Sequence, residues 1–342
     1  MKGKTIMELN LTDLKKELRE ETLRQVYLFY GKEQYLLEYY TKKIMDAVPD
    51  GGMPEFNRMV VEDNRTTPAE LEDFIETYPL MSEKKLLVLQ NTGLFKEAKA
   101  EIKEFWSEKL SNLPDYIVLL VTESEVDKRS VLYKALSKVG CVLEFALLSQ
   151  ADVVTWIIRQ ALDEKKKITK ENAAYLAEIC DEGLSTVRNE LNKLISYCGE
   201  EILKSDIERV VSKSLQVRIF ELTDSMTAKD ADRAFRILGD LKNSKESAFR
   251  ILYVLSNTFD QLLHTKLLLA EGASAGEISG KLKVAPFIAK KLSGNVRGFS
   301  EEFLKNRIMQ TAQIDLAIKE GKISEWAAIE EYIADSFRLL QA

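Results

Sequence analysis

Only one histidine, His264, stands among the 342 residues, and it lies inside an apolar helical stretch. A His-based triad, a metalloprotease helix and a multi-histidine metal site therefore have no residues to build them, and His264 reads as a packing or surface residue. The three cysteines, Cys141, Cys180 and Cys198, share no CxxC spacing. That removes zinc knuckles and disulfide frameworks and leaves reduced core thiols. No apolar run is long enough to span a bilayer, and the start, Met-Lys-Gly-Lys, is not followed by an uninterrupted apolar segment. A cytoplasmic chain with no membrane partner is expected. Basic residues do not dominate either: 49 Lys and Arg against 55 Asp and Glu give a net charge of −6. Any nucleic-acid contact must then be a local basic face.

Glycine is scarce where a nucleotide-binding protein would need it. Val26 to Tyr40 reads as a buried strand turning at Gly31 into a helix, the position of a phosphate loop in an ATPase-like α/β scaffold. Such a loop needs several glycines to turn backbone N–H groups toward phosphates, then Lys and Ser or Thr. Gly31 is instead followed by Lys32, Glu33 and Gln34, with Tyr35 and Leu36 beyond. After the apolar run Leu86–Leu89, where acids would hold Mg²⁺, the chain has Gln90, Asn91 and Thr92. Neither a nucleotide cofactor nor a metal is expected. Glu62 and Asp63 are adjacent after a strand, and adjacent side chains point apart, so they read as solvated charges.

What is present is two kinds of periodicity. Apolar runs at Val26–Tyr30, Met59–Val61, Leu86–Leu89, Tyr116–Val121 and Cys141–Phe145 alternate with helical segments and lack hairpin turns. The pattern predicts a parallel sheet covered on both faces. Thr67-Pro68-Ala69-Glu70 has the spacing of a capping box with proline at the first helical position, and Leu71, Phe74, Ile75 and Tyr78 continue the helical face until Pro79. From Ser149 the period becomes 3.6 and stays there, with Ser185 and the pair Ser205 and Glu208 as caps and Gly183 as a helix end. Long helices follow beyond Leu215. The fold class is α/β plus all-α, with expected parts at 1–147, 148–214 and 215–342.

The segment Tyr78-Pro79-Leu80-Met81-Ser82 admits two readings. Leu80 and Met81 are exposed apolar anchors at a helix exit, or one or both fold back over the sheet edge, as isolated apolar residues at element ends commonly do. Basic candidates for phosphate contact are Lys84 and Lys85, Lys128 and Arg129, and Lys165 to Lys167. Each group also suits a solvated surface.

The order and spacing of several stretches resemble the delta-subunit family of bacterial DNA polymerase III clamp loaders over essentially the whole chain. These are Tyr27–Glu38, Tyr78–Leu89, Asp127–Leu136, Asn189–Leu194, Ala285–Leu292 and Asp315–Gly321. The resemblance implies an AAA+-like α/β domain without a P-loop or nucleotide, a helical lid, and a C-terminal helical collar. It implies a subunit of the DNA-directed DNA polymerase III holoenzyme that is not itself an enzyme. Such a subunit binds and opens the sliding clamp ring, beside ATP-hydrolysing tau or gamma subunits, a delta-prime subunit and primer-template DNA. In the family, clamp contact is made by an apolar pair at the end of a helix in the first domain, which falls here on Pro79, Leu80 and Met81. Members often carry an aromatic residue where this chain has Leu80 or Met81. Phe74 and Tyr78 could contribute part of that contact, but fit better as core. Lys84, Lys85, Lys128 and Arg129 become the candidates for DNA contact.

Two other classes stay open at this level: a divergent NTPase using Lys32 with other metal ligands, and a helical adaptor of another AAA+ machine.

Overall fold

The computed structural model describes residues 11–62, 66–95, 100–180 and 183–341. Asp63, paired with Glu62 in the sequence reading, lies outside them, as does the N-terminal Met-Lys-Gly-Lys. The described residues divide into two compact units, one formed by those before 178 together with 183–210, the other by 178–180 together with 211–341.

The first unit opens with helix α1 (Leu11–Glu20), strand β1 (Val26–Tyr30), α2 (Gln34–Ala47), the one-turn α3 (Pro54–Asn57), β2 (Arg58–Val61), α4 (Pro68–Glu76) and β3 (Lys85–Gln90). It continues through α5 (Ala100–Lys109), β4 (Ile117–Glu123), α6 (Val131–Val139) and β5 (Cys141–Glu144). The five strands form one parallel sheet in the order β2-β3-β4-β1-β5. Because strand side chains alternate faces, one apolar run fills two cores. Val26, Leu28 and Tyr30 join Leu71, Ile75, Trp106 and Leu136 on one face; Tyr27 and Phe29 join Leu14, Tyr40 and Ile44 on the other.

α4 begins as the spacing predicts. The Thr67 hydroxyl accepts the Glu70 N–H at 3.3 Å, and the Glu70 carboxylate accepts the Thr67 N–H at 2.8 Å, with Pro68 in the first turn. It ends earlier than expected, at Glu76. Tyr78 is therefore outside the helix and 78% exposed, a correction to its reading as core. Phe74 is half-buried against the sheet.

The same unit adds α7 (Gln150–Asp163), β6 (Lys167–Ile168), α8 (Lys170–Ile179) as far as residue 177, α9 (Leu184–Tyr197), β7 (Glu201–Ile202) and α10 (Lys204–Val210). Two of the expected caps are displaced. α9 starts at Leu184 with Gly183 before it at φ 97, so Ser185 is inside the helix and Gly183 opens a helix. Asp206 Oδ2, not Ser205, accepts the N–H of Leu203 at the start of α10.

The second unit is helical: α11 (Leu215–Thr227), α12 (Ala231–Asn243), α13 (Ala248–Ala270), α14 (Ala275–Leu282), α15 (Pro286–Asn295), α16 (Glu301–Lys319) and α17 (Glu325–Gln341). Its core gathers Phe259, Phe299, Phe303, Tyr332 and Phe337. Arg307 of α16 is buried in it and held by Asp335 at 3.0 Å and the Ser336 hydroxyl at 3.1 Å.

Candidate functional site

Where a phosphate loop would lie, the turn after β1 is closed by protein. Gly31 has φ +138, and a Cβ there would sit 2.2 Å from the Phe145 carbonyl oxygen. The glycine is required by the chain leaving β5, not by a ligand. Glu33, at the start of α2, is 2% exposed. Its Oε2 accepts the Leu184 N–H at 3.1 Å, so one carboxylate faces the N-termini of both α2 and α9, where backbone N–H groups favour negative charge. Burial pushes the Glu33 carboxyl above its ordinary 4.5, and the bond from Leu184 opposes the shift.

The acid at the end of β4 is similarly engaged. Glu123 accepts the Thr92 hydroxyl at 3.1 Å and the Leu94 N–H at 3.2 Å, fixing the loop after β3. An open cleft of about 330 Å³ remains beside these strand ends, lined by Tyr30, Lys32, Glu125, Lys128 and Leu147 among others. Sequence reasoning missed Glu33 and Glu123 as organising residues. A carboxylate two residues after the turn glycine was the available signal for the first.

On the opposite edge, near β2 and β3, the segment after α4 presents apolar side chains. Leu80 is 44% and Met81 78% exposed, and Met81 adopts φ 55. Pro79 precedes them after the C-cap Thr77. The backbone of this tip is bound into the unit. Buried Asn57 accepts the Leu80 N–H at 2.8 Å through Oδ1 and donates Nδ2 to the Leu80 carbonyl at 2.6 Å. The Ser82 hydroxyl donates to the Pro49 carbonyl at 2.9 Å. Asn57 carried no sequence signal.

The basic candidates separate. Lys85 is 1% exposed, with its ammonium 3.9 Å from the Phe74 ring centroid and donating to the carbonyls of Phe74 at 2.8 Å and Thr77 at 3.0 Å. It satisfies the last carbonyls of α4, and burial pushes its pKa down. This corrects its place among the phosphate contacts, because a buried ammonium already bound to two carbonyls cannot reach DNA. Lys84 donates to the Asp115 carbonyl at 2.7 Å. Lys128 pairs with Glu144 at 2.9 Å and stands over the Tyr30 ring. The Arg129 side chain is 90% exposed, beside Asp127. His264, as expected, is at the surface, near Asp260.

Residues 27–146 match the family model "DNA polymerase III, delta subunit", and residues 216–336 match "DNA polymerase III delta subunit, C-terminal domain". The chain is 31% identical over 336 residues to DNA polymerase III subunit delta of Bacillus subtilis, covering 94% of this chain and 95% of that protein. It belongs to the DNA polymerase III delta-subunit family.

A more distant member of the delta family, the probable delta subunit of Aquifex aeolicus, is 23% identical over 91% of this chain and 89% of its own. Among solved structures, the Bacillus subtilis clamp loader delta protein superposes with a TM-score of 0.69 at 28% identity, covering 96% of this chain and 99% of that one. The parallel sheet followed by helices is thus the delta-family fold, and the chain is a clamp-loader component of DNA replication.

Proposed function

We propose that this chain binds the sliding clamp ring through Pro79, Leu80 and Met81 and favours its open form, without hydrolysing ATP itself. The observation that carries the reading is the exposure of Leu80 and Met81 on a tip whose backbone is hydrogen-bonded into the sheet unit. An apolar pair on a fixed backbone loses little freedom when it enters an apolar pocket, which is how a small contact becomes an anchor. A subunit that binds the open ring better than the closed one shifts the population toward opening by that difference in affinity, with no covalent step.

Energy input then comes from partners: ATP-hydrolysing tau or gamma subunits and a delta-prime subunit, with primer-template DNA inside the assembly. The isolated chain is no enzyme in this account. The residues at the phosphate-loop position, Glu33 above all, leave a triphosphate no cradle. The chain works in three parts, an α/β clamp-binding domain (1–147), a helical lid (148–214) and a helical collar (215–342) whose long helices join the other subunits. Arg129, with Lys84 and Lys128, supplies DNA contact. No helix among the described residues is long and apolar enough to cross a membrane, in keeping with work in the cytoplasm.

Ring opening is the test. With fluorophores on both sides of the clamp's subunit interface, adding the chain without nucleotide is expected to increase their separation, and Leu80→Glu/Met81→Glu is expected to abolish the change. Clamp binding with no change in separation would reduce the chain to a passive adaptor.

A further inference from the structure

Leu80 and Met81 are held in place from outside their own segment. Asn57 ends α3 and is 1% exposed. Its one side-chain amide takes both polar groups of the Leu80 backbone, accepting from N–H at 2.8 Å and donating to C=O at 2.6 Å, and also donates to the Asp50 carbonyl at 2.8 Å. The amide thus does for Leu80 what a neighbouring strand would do.

Met81 next to it has φ 55, in the left-handed region that side-chain-bearing residues rarely adopt. Gly51 lies against that residue: a Cβ on Gly51 would sit 2.1 Å from the Met81 carbonyl oxygen. The loop that carries Gly51 is itself fixed, Asp50 pairing with Arg58 at 3.0 Å and accepting the Gly52 N–H at 3.0 Å. The exposed pair therefore sits on a backbone fixed by Asn57 on one residue and by the Gly51 approach on the next.

We propose that Asn57 is the positioning residue of the clamp-binding tip and that Gly51 completes the seat. The inference rests on the clamp reading above and extends it: the tip is shaped before it meets the clamp. Without the amide, Leu80 loses both backbone partners, and the strained φ of Met81 is held only by the Gly51 approach and the Ser82 hydroxyl on the Pro49 carbonyl. The binding-competent shape becomes one member of an ensemble, and the apparent affinity falls by the fraction of time that it is populated.

Two readouts separate this from a general structural role. Hydrogen exchange on the free chain reads the seat without any clamp. The Leu80 amide is expected to be protected in wild type and to lose protection in Asn57→Ala, while the β1 and β4 amides stay protected. Clamp affinity reads the consequence. Asn57→Ala and Gly51→Ala are each expected to weaken binding about tenfold or more, which corresponds to one tenth occupancy of the competent shape. Leu136→Ala, a core change remote from the tip, is expected to leave affinity unchanged at an equal or larger drop in melting temperature. Gly51→Ala, in an exposed loop, keeps the test open if Asn57→Ala fails to fold.

An unprotected Leu80 amide in the wild-type chain would overturn the proposal. So would wild-type affinity in both variants while Leu80→Glu/Met81→Glu loses binding. If that charged double variant binds as well as wild type, the clamp reading itself fails, while the exchange result still decides whether Asn57 fixes the tip.

Discussion

The Glu33 carboxylate accepts the backbone N–H of Leu184 at 3.1 Å, across 151 positions of sequence. It stands where a nucleotide protein would hold a phosphate, and it ties the start of α9 to the turn after β1. An internal anion at two helix N-termini serves as a fixed link and needs no ligand.

Glu33→Ala leaves the buried Leu184 N–H without its partner and is expected to destabilise the first unit by about 1–3 kcal/mol. Chemical denaturation of the variant beside wild type checks this. An unchanged midpoint would show that the link is not needed for stability.

The same residue gives a pH dependence. Burial raises the Glu33 pKa in the folded state above 4.5, so its titration contributes stability that is fully present below 4.5 and is lost as pH rises through the folded value. Relative to Glu33→Gln, which does not titrate, wild type is expected to lose melting temperature as pH is raised from 4.5. The comparison cancels Glu123, whose carboxyl is also raised by burial and is present in both proteins. A difference between the two proteins that does not vary with pH would contradict the shift.

Lys85→Met keeps the apolar stem but leaves the Phe74 and Thr77 carbonyls without their donor. A loss of about 1–3 kcal/mol is expected. Because the role is a helix C-terminus and not a phosphate contact, the substitution should leave the salt dependence of DNA binding unchanged in the assembled loader. A flatter salt dependence for Lys85→Met would return it to the DNA-contacting set.

In the second unit, Arg307→Ala takes the nearest cation from Asp335, which keeps Arg338 at 3.8 Å, removes the bond to the Ser336 hydroxyl, and empties the space beside Phe303 and Tyr332. The expected loss, mostly from the cavity and the lost packing, is about 2–5 kcal/mol, read as the disappearance of cooperative melting of the helical unit or a large fall in its midpoint.

Much of this could be read before the structure. Contiguous apolar runs mark the five strands because a sheet covered on both faces accepts side chains on either side, and the capping box at Thr67 is fully local. What was not legible depends on distant partners. Tyr78 continues the spacing of Leu71, Phe74 and Ile75, yet α4 stops at Glu76 and turns Tyr78 outward. Lys85 follows Glu83 and Lys84 and so resembles a charged surface, but its acceptors are carbonyls at the end of α4, eight and eleven residues earlier. Asn57 is an ordinary polar residue in sequence, and only the fold brings it to Leu80. Family resemblance singles out Leu80 and Met81 as candidates, while the Asn57 and Gly51 contacts that hold them come only with the fold.

The most direct test is equilibrium binding of the purified chain to its cognate sliding clamp, with Leu80→Glu/Met81→Glu alongside and circular dichroism to compare folding. Loss of a central anchor typically costs about 2 kcal/mol or more, roughly 30-fold in affinity. The account predicts at least that loss in a variant with an unchanged spectrum. Wild-type affinity in the folded double variant would contradict it.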